Sequence, residues 1–506
     1  MFLGFLVWAL MLSLSFLWLL TRIYSRWHSS AFPTVRRQWK HVVRWSNPIS
    51  ELVDYGYQII SKAQGKPFRM NYWGQEYTVL PPKYLNDIKR AERHHLRFFE
   101  SVKDVFFLKY WIGDLFDSDR MVYTVKKGLN PHLPEATSLC IDEARHAFEE
   151  EFGDCETYKF VPTFTALCNI AHRIASKIIV GEELSRDTAF CKASYSYFQG
   201  HGLTGGLLLT LPLGLFRDLL AGPFSYYQRV RQRKVIDIVS AKIAARIDDI
   251  EQNKDRTPRI DCIEWTLKML RDFPIEKTKG GSLPLWRMSH ELVHLLGASH
   301  TPTGIAVTQM VWKMLAYPEY LDPLRQEADA AIAKFGFSHK IVDFLPLQDS
   351  FIRETNRLHP NNELGIQRVV CGSPFTFYDG LTLPVGTRVA FPISSYLRDP
   401  AIFPQPDVFD GRRYLNLAQA DARNEDGVNK WAASHAHAAN PAFGLGSHVC
   451  PGRFFAVRLI KIIFTKLITE YDIRWDYTGL GTPPSMHIEG AVFPNASEMI
   501  QVRKRV

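Results

Sequence analysis

The stretch FGLGSHVCPGRFFA, residues 443–456, decides the fold. Gly444 and Gly446 let the chain turn tightly and bring its backbone close to a neighbour. Pro451 suits the first turn of a helix, where its missing N–H is no loss. Cys450 is therefore expected to open a helix whose positive N-terminus favours the thiolate. Backbone N–H groups aimed at the sulfur would temper that charge. His448, two residues earlier, offers a ring N–H. The bland reading is a Gly-rich loop around a buried structural cysteine. FGxG alone would not exclude it; the whole string leaves it little room.

Two further constellations lie upstream. In FIRETNRLHP, Glu354 and Arg357 stand at i and i+3 and can pair on one helix face. The same spacing recurs at Glu183 and Arg186, which reads as a solvated face. In Ser289 to Leu315, a long apolar helix pattern carries Gly297-Ala298-Ser299-His300-Thr301-Pro302-Thr303 at its centre. Pro302 removes one hydrogen bond and crowds the Ala298 carbonyl, so a kink is expected there. The alternative is a kinked core helix with a satisfied histidine.

The full string FGxGxHxCPGRxFA resembles the haem-binding loop of cytochrome P-450 enzymes at every diagnostic position. The resemblance covers nearly the whole body and is strongest toward microsomal, fungal secondary-metabolism members. It implies a mainly α fold with small β-sheets, one large haem domain preceded by a transmembrane helix. It implies haem b (iron protoporphyrin IX), with Cys450 as the axial ligand and Phe443, Gly444 and His448 in the cofactor loop. FPQPDVFDGRRY matches the family's meander, so Arg413 is implied as third member of a buried ion network with Glu354 and Arg357. Arg368, Tyr123 and Lys127 fall at positions where the family binds haem propionates. Thr301 matches the family's threonine in the oxygen-binding helix, with His300 where an acid is usual. Both are implied to handle protons during catalysis. An unperturbed histidine titrates near ~6.5, so a His300 that feeds protons predicts pH dependence near neutrality.

The implied activity is a monooxygenase that hydroxylates or otherwise oxidises an apolar small molecule with O2. Terpenoid, steroid-like, polyketide and alkaloid skeletons suit it. Electrons would come from NADPH through NADPH-cytochrome P-450 reductase, with cytochrome b5 as an optional second donor. The alternative is a haem-thiolate isomerase or dehydratase needing no reductase. Phe106-Phe107, Leu203 to Leu215, Val293 to Ala298, Glu363 to Ile366 and Val492-Phe493 are the expected pocket walls.

Composition agrees with an enzyme and bounds its setting. The net charge is +9, but no run of five or six basic residues and no nucleic-acid motif is present, so nucleic acid is not an expected partner. Seven cysteines without CxxC spacing argue against a disulfide framework or a zinc site. Met1 to Leu20 is uncharged and about one bilayer long. Arg22, Arg26, Arg36, Arg37 and Lys40 follow it. The n-region lacks Lys and Arg and no small-x-small cleavage site follows, which disfavours a signal peptide. Residues 1–24 are thus expected to anchor the chain once in the endoplasmic reticulum membrane, with residues 25–506 a cytosolic catalytic domain. Leu203 to Leu215 is short for a span and reads as buried or membrane-dipping.

Overall fold

The computed structural model describes residues 32–36 and 49–506, apart from 105–107, 113–114, 116–117, 211–215, 254, 277–282, 422–429, 476, 480 and 506. The expected anchor and the Phe106-Phe107 wall lie outside the described residues. Among the described residues no helix is long and apolar enough to cross a membrane.

Seven helices carry the architecture: α1 Leu133–Phe152, α2 Thr163–Ile179, α3 Thr188–Thr210, α4 Phe216–Gln252, α5 Leu285–Ala316, α6 Pro346–Leu358 and α7 Arg453–Glu470. Helix α5 runs through the centre, packed on α2, α4, α6 and α7. Small residues let it approach: a Cβ on Gly304 would overlap the Cys168 sulfur of α2, and one on Gly297 would lie 2.6 Å from the Phe198 ring of α3. The main apolar core lies among α1, α2, α5, α6 and α7, with Phe148, Ile174, Met310, Phe351 and Phe464 fully buried.

A five-stranded sheet flanks the helical body. Its strands are β1 Phe68–Tyr72, β2 Gln75–Val79, β3 Leu96–Arg97, β4 Gly365–Val370 and β5 Arg388–Phe391, in the order β1-β2-β5-β4-β3. Strands β1 and β2 form a hairpin from Phe68 to Val79, and Trp73-Gly74, both at positive φ, make the turn. A separate hairpin turns at Asp379-Gly380 and pairs Phe375–Thr376 with Thr382–Leu383. The pairing of β4 with β5 shifts register between Gly365 and Arg368, where Ile366 sits at φ 51. A β-branched residue rarely adopts that φ, and the bulge re-aims Arg368, with consequences for the site.

Helix α6 is fixed at both ends. The remote carboxylate of Glu327 accepts the Leu347 and Gln348 N–H groups at 2.6 and 3.1 Å, capping its first turn. Near its last turn Glu354 and Arg357 form a buried bidentate pair, 2.8 Å at each contact. Arg413 adds its Nε to the same carboxylate at 3.1 Å, and the Asp410 N–H completes it at 3.1 Å. Arg357 also donates to the Leu397 and Pro406 carbonyls, and Arg413 to that of Pro404. Three charges thereby clamp the irregular chain from 397 to 413 onto α6. The other ExxR differs: Glu183 is exposed and faces Lys242 and Arg259, while Arg186 turns to Glu143 and Glu182.

Removing one partner of a buried network leaves an uncompensated charge, at a cost of roughly 3–5 kcal/mol. Glu354→Ala or Arg357→Ala should therefore lower the melting temperature sharply and yield little soluble protein. Glu183→Ala should change stability by no more than ~0.5 kcal/mol. Equal damage at the two sites, read by thermal melts, would contradict this assignment.

Candidate active site

The loop before α7 is closed on itself. The Cys450 N–H donates to the Phe443 carbonyl at 2.8 Å, Gly444 N–H to Pro441, and Val449 N–H to Gly446. Gly444 and Gly446 take φ of 77° and 70°. A Cβ on Gly446 would lie 2.9 Å from backbone atoms of Ile88 and Lys89, so this glycine serves close packing on the segment Leu85–Arg90. Helix α7 begins at Arg453, three residues later than the sequence suggested, because Pro451 and Gly452 form a turn first. The Cys450 thiol is pushed up by burial and drawn back by the Gly452 and Arg453 N–H groups that face the sulfur. These are the N-cap and first amides of α7, so the helix terminus, with the Arg453 charge, supplies the stabilising field.

Helix α5 presents a half-open face. Ala298 and Pro302 are exposed in the middle of a helix that is otherwise buried, and Thr301 is half-buried between them. The helix runs unbroken through Pro302. His300 is buried; its Nδ1–H donates to the Leu296 carbonyl at 2.9 Å. That fixes Nε2 as an acceptor, and the Thr301 hydroxyl donates to it at 3.0 Å. Burial lowers His300 to about 4. The ring is neutral near pH 7, so the expected titration near neutrality is corrected downward. His172 and Phe198 enclose it at ring-centroid distances of 5.0 and 4.8 Å. Behind His172, among α1, α2 and α3, lies a cleft of ≈ 350 Å³ lined also by Glu150, Arg173 and Lys192.

Beside the loop, cations gather. Arg368 is buried and donates to its own neighbour's carbonyl at Gln367 (2.7 Å) and to Leu445 in the loop (2.9 Å). No acidic side chain pairs with it among the described residues, and burial followed by repulsion from Arg93 lowers it to about 9. Arg93 donates to the Ser447 carbonyl at 2.9 Å and holds Asp119. His448 donates Nε2–H to the Arg93 carbonyl at 3.0 Å and is lowered by burial to about 4. As a neutral ring it has no second N–H to offer an anion. Arg93 escaped the sequence reading because nothing in its local pattern marks it.

The structure does not bring Tyr123 and Lys127 to this group. Tyr123 stacks on Phe273 at 4.8 Å, and Lys127 pairs at the surface with Asp272 at 3.1 Å. The two do share a face, with the Lys127 Nζ 5.2 Å from the Tyr123 ring centroid, but that face meets Phe273 and Asp272. Arg120, one turn earlier, points inward instead and pairs with Glu291 of α5 at 2.8 Å.

The match to known proteins can be set beside this geometry. The cytochrome P450 family model matches residues 208–502. The cytochrome P450 monooxygenase sirB of Leptosphaeria maculans is 36% identical over 462 residues, covering 89% of this chain and 85% of that one. The chain belongs to the cytochrome P450 family. Its mainly helical body with small sheets is that family's fold, and it is a haem-dependent monooxygenase that works with a redox partner on a small molecule. More distant similarity extends to ent-kaurene oxidase P450-4 of Gibberella fujikuroi, 26% identical over 90% of this chain and 87% of that one. It extends also to pyrichalasin C-7 hydroxylase of Pyricularia grisea, 26% identical over 95% and 96%. The P450 cofactor, haem b, fits the residues present. Cys450 is a soft thiolate donor whose charge backbone amides temper. Arg368 is a buried guanidinium without a carboxylate, which suits a propionate. The exposed Ala298 and Pro302 leave one side of α5 free of bulky side chains, which suits a flat ring.

Buried histidines contribute to the acid response of this P450, opposed by Glu327, which burial raises to about 7. Burial lowers His290 to about 2, His201 to about 3, and His294 and His300 to about 4. Between the unfolded value of ~6.5 and these folded values, the unfolded chain binds protons that the native one does not. Stability is therefore full above pH ~6.5 and falls as pH drops, each histidine adding a slope of up to ~1.4 kcal/mol per pH unit. Melting temperature should fall between pH 7 and 5, and His294→Phe should flatten that fall. An identical slope in the variant would count against this account.

Proposed function

We propose that this monooxygenase oxidises an apolar natural-product skeleton at the endoplasmic reticulum membrane, with Cys450 as the haem ligand. The observation that carries the ligand assignment is the Cys450 sulfur, held in a closed loop and faced by the Gly452 and Arg453 amides. The names of the relatives, an ent-kaurene oxidase and a pyrichalasin hydroxylase among them, support a substrate of terpenoid, steroid-like, polyketide or alkaloid type. NADPH-cytochrome P450 reductase is the proposed electron source. The uncharged first twenty residues support a single N-terminal anchor.

Bound haem supplies the reduction of dioxygen and the transfer of one oxygen atom to a carbon of the substrate. The protein's part is to bind, orient and manage protons. Arg368, tied to the loop through the Leu445 carbonyl, would hold the cofactor's anionic edge. Thr301 keeps its proton in a hydrogen bond to His300 Nε2 and leaves its oxygen lone pairs free to accept. A neutral His300 cannot donate from Nε2, so it orients Thr301 and does not itself feed protons. When the threonine hydroxyl rotates, it passes a proton onward and regains one from solvent.

In reductase-supported turnover, Thr301→Ala should keep the thiolate CO spectrum and substrate binding but release peroxide, lowering the product-to-NADPH ratio. His300→Ala should slow turnover with a smaller loss of coupling, and no pH step should appear between 6 and 8. Cys450→Ser should abolish the red-shifted CO band. A normal band in Cys450→Ser, or full coupling in Thr301→Ala, would overturn the roles proposed here. Product formed without reductase would overturn the electron source. For the anchor, full-length protein should resist carbonate extraction from membranes, and a chain starting near Trp27 should not; extraction of both alike would refute it.

A further inference from the structure

We propose that Glu92, His94 and His95 bind a zinc-type divalent cation on the turn that braces the Cys450 loop. This goes beyond the monooxygenase reading. Among the described residues this is the one place where three such donors converge, each ligating atom within 4.8 Å of the others. The His94 Nε2 and Glu92 Oε2 atoms are 3.3 Å apart, and the two imidazole rings have centroids 4.2 Å apart. Ligands held at ~2.0–2.1 Å on a tetrahedral zinc stand about 3.3 Å from one another. One edge of the tetrahedron is therefore in place, and the His95 nitrogen has to close by no more than about 1.5 Å.

The backbone holds the three together. The His95 N–H donates to the Glu92 carbonyl at 3.1 Å and closes the turn. The Cys371 N–H donates to the His95 carbonyl at 2.8 Å, and Leu96 pairs with Val370 as β3 joins β4. Only side chains have to settle on the ion, which keeps the ordering cost low. Glu92 and His94 are exposed and His95 is half-buried, so an ion reaches them from solvent. Arg93, the cation between them in sequence, holds Asp119 at 2.6 Å, which offsets its charge.

The donor set selects the ion. Two imidazoles and a carboxylate suit zinc, which takes three protein ligands with water in the fourth place. Magnesium and calcium prefer oxygen and would find a single carboxylate here. A bare ion pair between His94 and Glu92 is the alternative, and it gives His95 no part.

Arg93 carries the consequence. Its guanidinium donates to the Ser447 carbonyl at 2.9 Å, and its own carbonyl accepts the His448 Nε2–H at 3.0 Å. The Ser447 hydroxyl donates to the Ala91 carbonyl at 3.3 Å. Three hydrogen bonds thus tie this turn to the residues just before Cys450. An ion joining the side chains of Glu92, His94 and His95 clamps the chain on both sides of Arg93, and its occupancy steadies the Cys450 loop.

The test uses the full-length, haem-loaded protein without a polyhistidine tag. Zn²⁺ and Mg²⁺ are titrated in separate calorimetric runs. Zinc should bind saturably and magnesium should not. His94→Asn and Glu92→Gln, both at exposed positions, should weaken zinc at least ~tenfold, since loss of an outer-shell partner alone costs about that much. A CO spectrum like the parent's shows that each variant is folded. Deuterium exchange of the peptide 443–456 gives the second readout. Zinc should slow that exchange at least ~fivefold in the parent chain and leave it unchanged in His94→Asn. Zinc affinity equal to the parent's in the variants, or equal binding of magnesium, would overturn the site. Unchanged exchange in the zinc-loaded parent would overturn the brace.

Discussion

The carboxylate of Glu354 is the point on which the rest of the structure depends. It is buried on the last turns of α6 and takes hydrogen bonds from Arg357, Arg413 and the Asp410 amide. The two guanidiniums then reach the Leu397, Pro404 and Pro406 carbonyls. A long segment with little regular structure cannot satisfy its own backbone groups. Here charged donors from α6 and the meander itself do so. The chain that leaves this clamp continues into the 434–443 region, where Arg453 of α7 donates to the Ser434 carbonyl. The Cys450 loop is thus held from both sides, by the clamp before it and by its own helix after it.

The centre of the molecule shows what burial does to opposite kinds of group. Along α3 and α5, His201, His290, His294 and His300 are buried and kept neutral. Near the Cys450 loop, Arg368 is equally buried and remains a cation even at about 9. Guanidinium deprotonates too reluctantly to escape its charge. One side of the site is therefore a neutral, polarisable wall, and the other a fixed positive edge. A cofactor with anionic groups at one end and an apolar ring at the other matches that division.

Much of the fold was legible in the sequence, because its strongest signals are local. The Gly444, Cys450 and Pro451 grammar, the Glu354/Arg357 spacing and the period of α5 each sit within a few turns of chain. Arg413 was found only through the family pattern, since its contact with Glu354 spans 59 positions. What stayed hidden depends on long-range packing. Arg93 meets Ser447 across 354 positions with no motif of its own. Tyr123 and Lys127 share the face their spacing implied, yet the sequence did not show that Phe273 and Asp272 would occupy it. The start of α7 was set three residues early because Pro451 also suits a turn.

The replacement of an acid by His300 has a consequence that burial decides. A buried carboxylate at this point could lose and regain a proton only by carrying charge in an apolar helix bundle. A histidine there can stay neutral and still offer one donor and one acceptor. The donor is consumed by the Leu296 carbonyl, which sets the tautomer. The acceptor is left for Thr301, which sets the direction of its hydroxyl. His172, edge-on at 5.0 Å, adds a second ring that burial keeps neutral. The pair therefore orients Thr301 strongly while resisting protonation, and control of the proton passes to the threonine and the water it meets. That is why the balance between product and peroxide should respond more to loss of Thr301 than to loss of the histidine beside it.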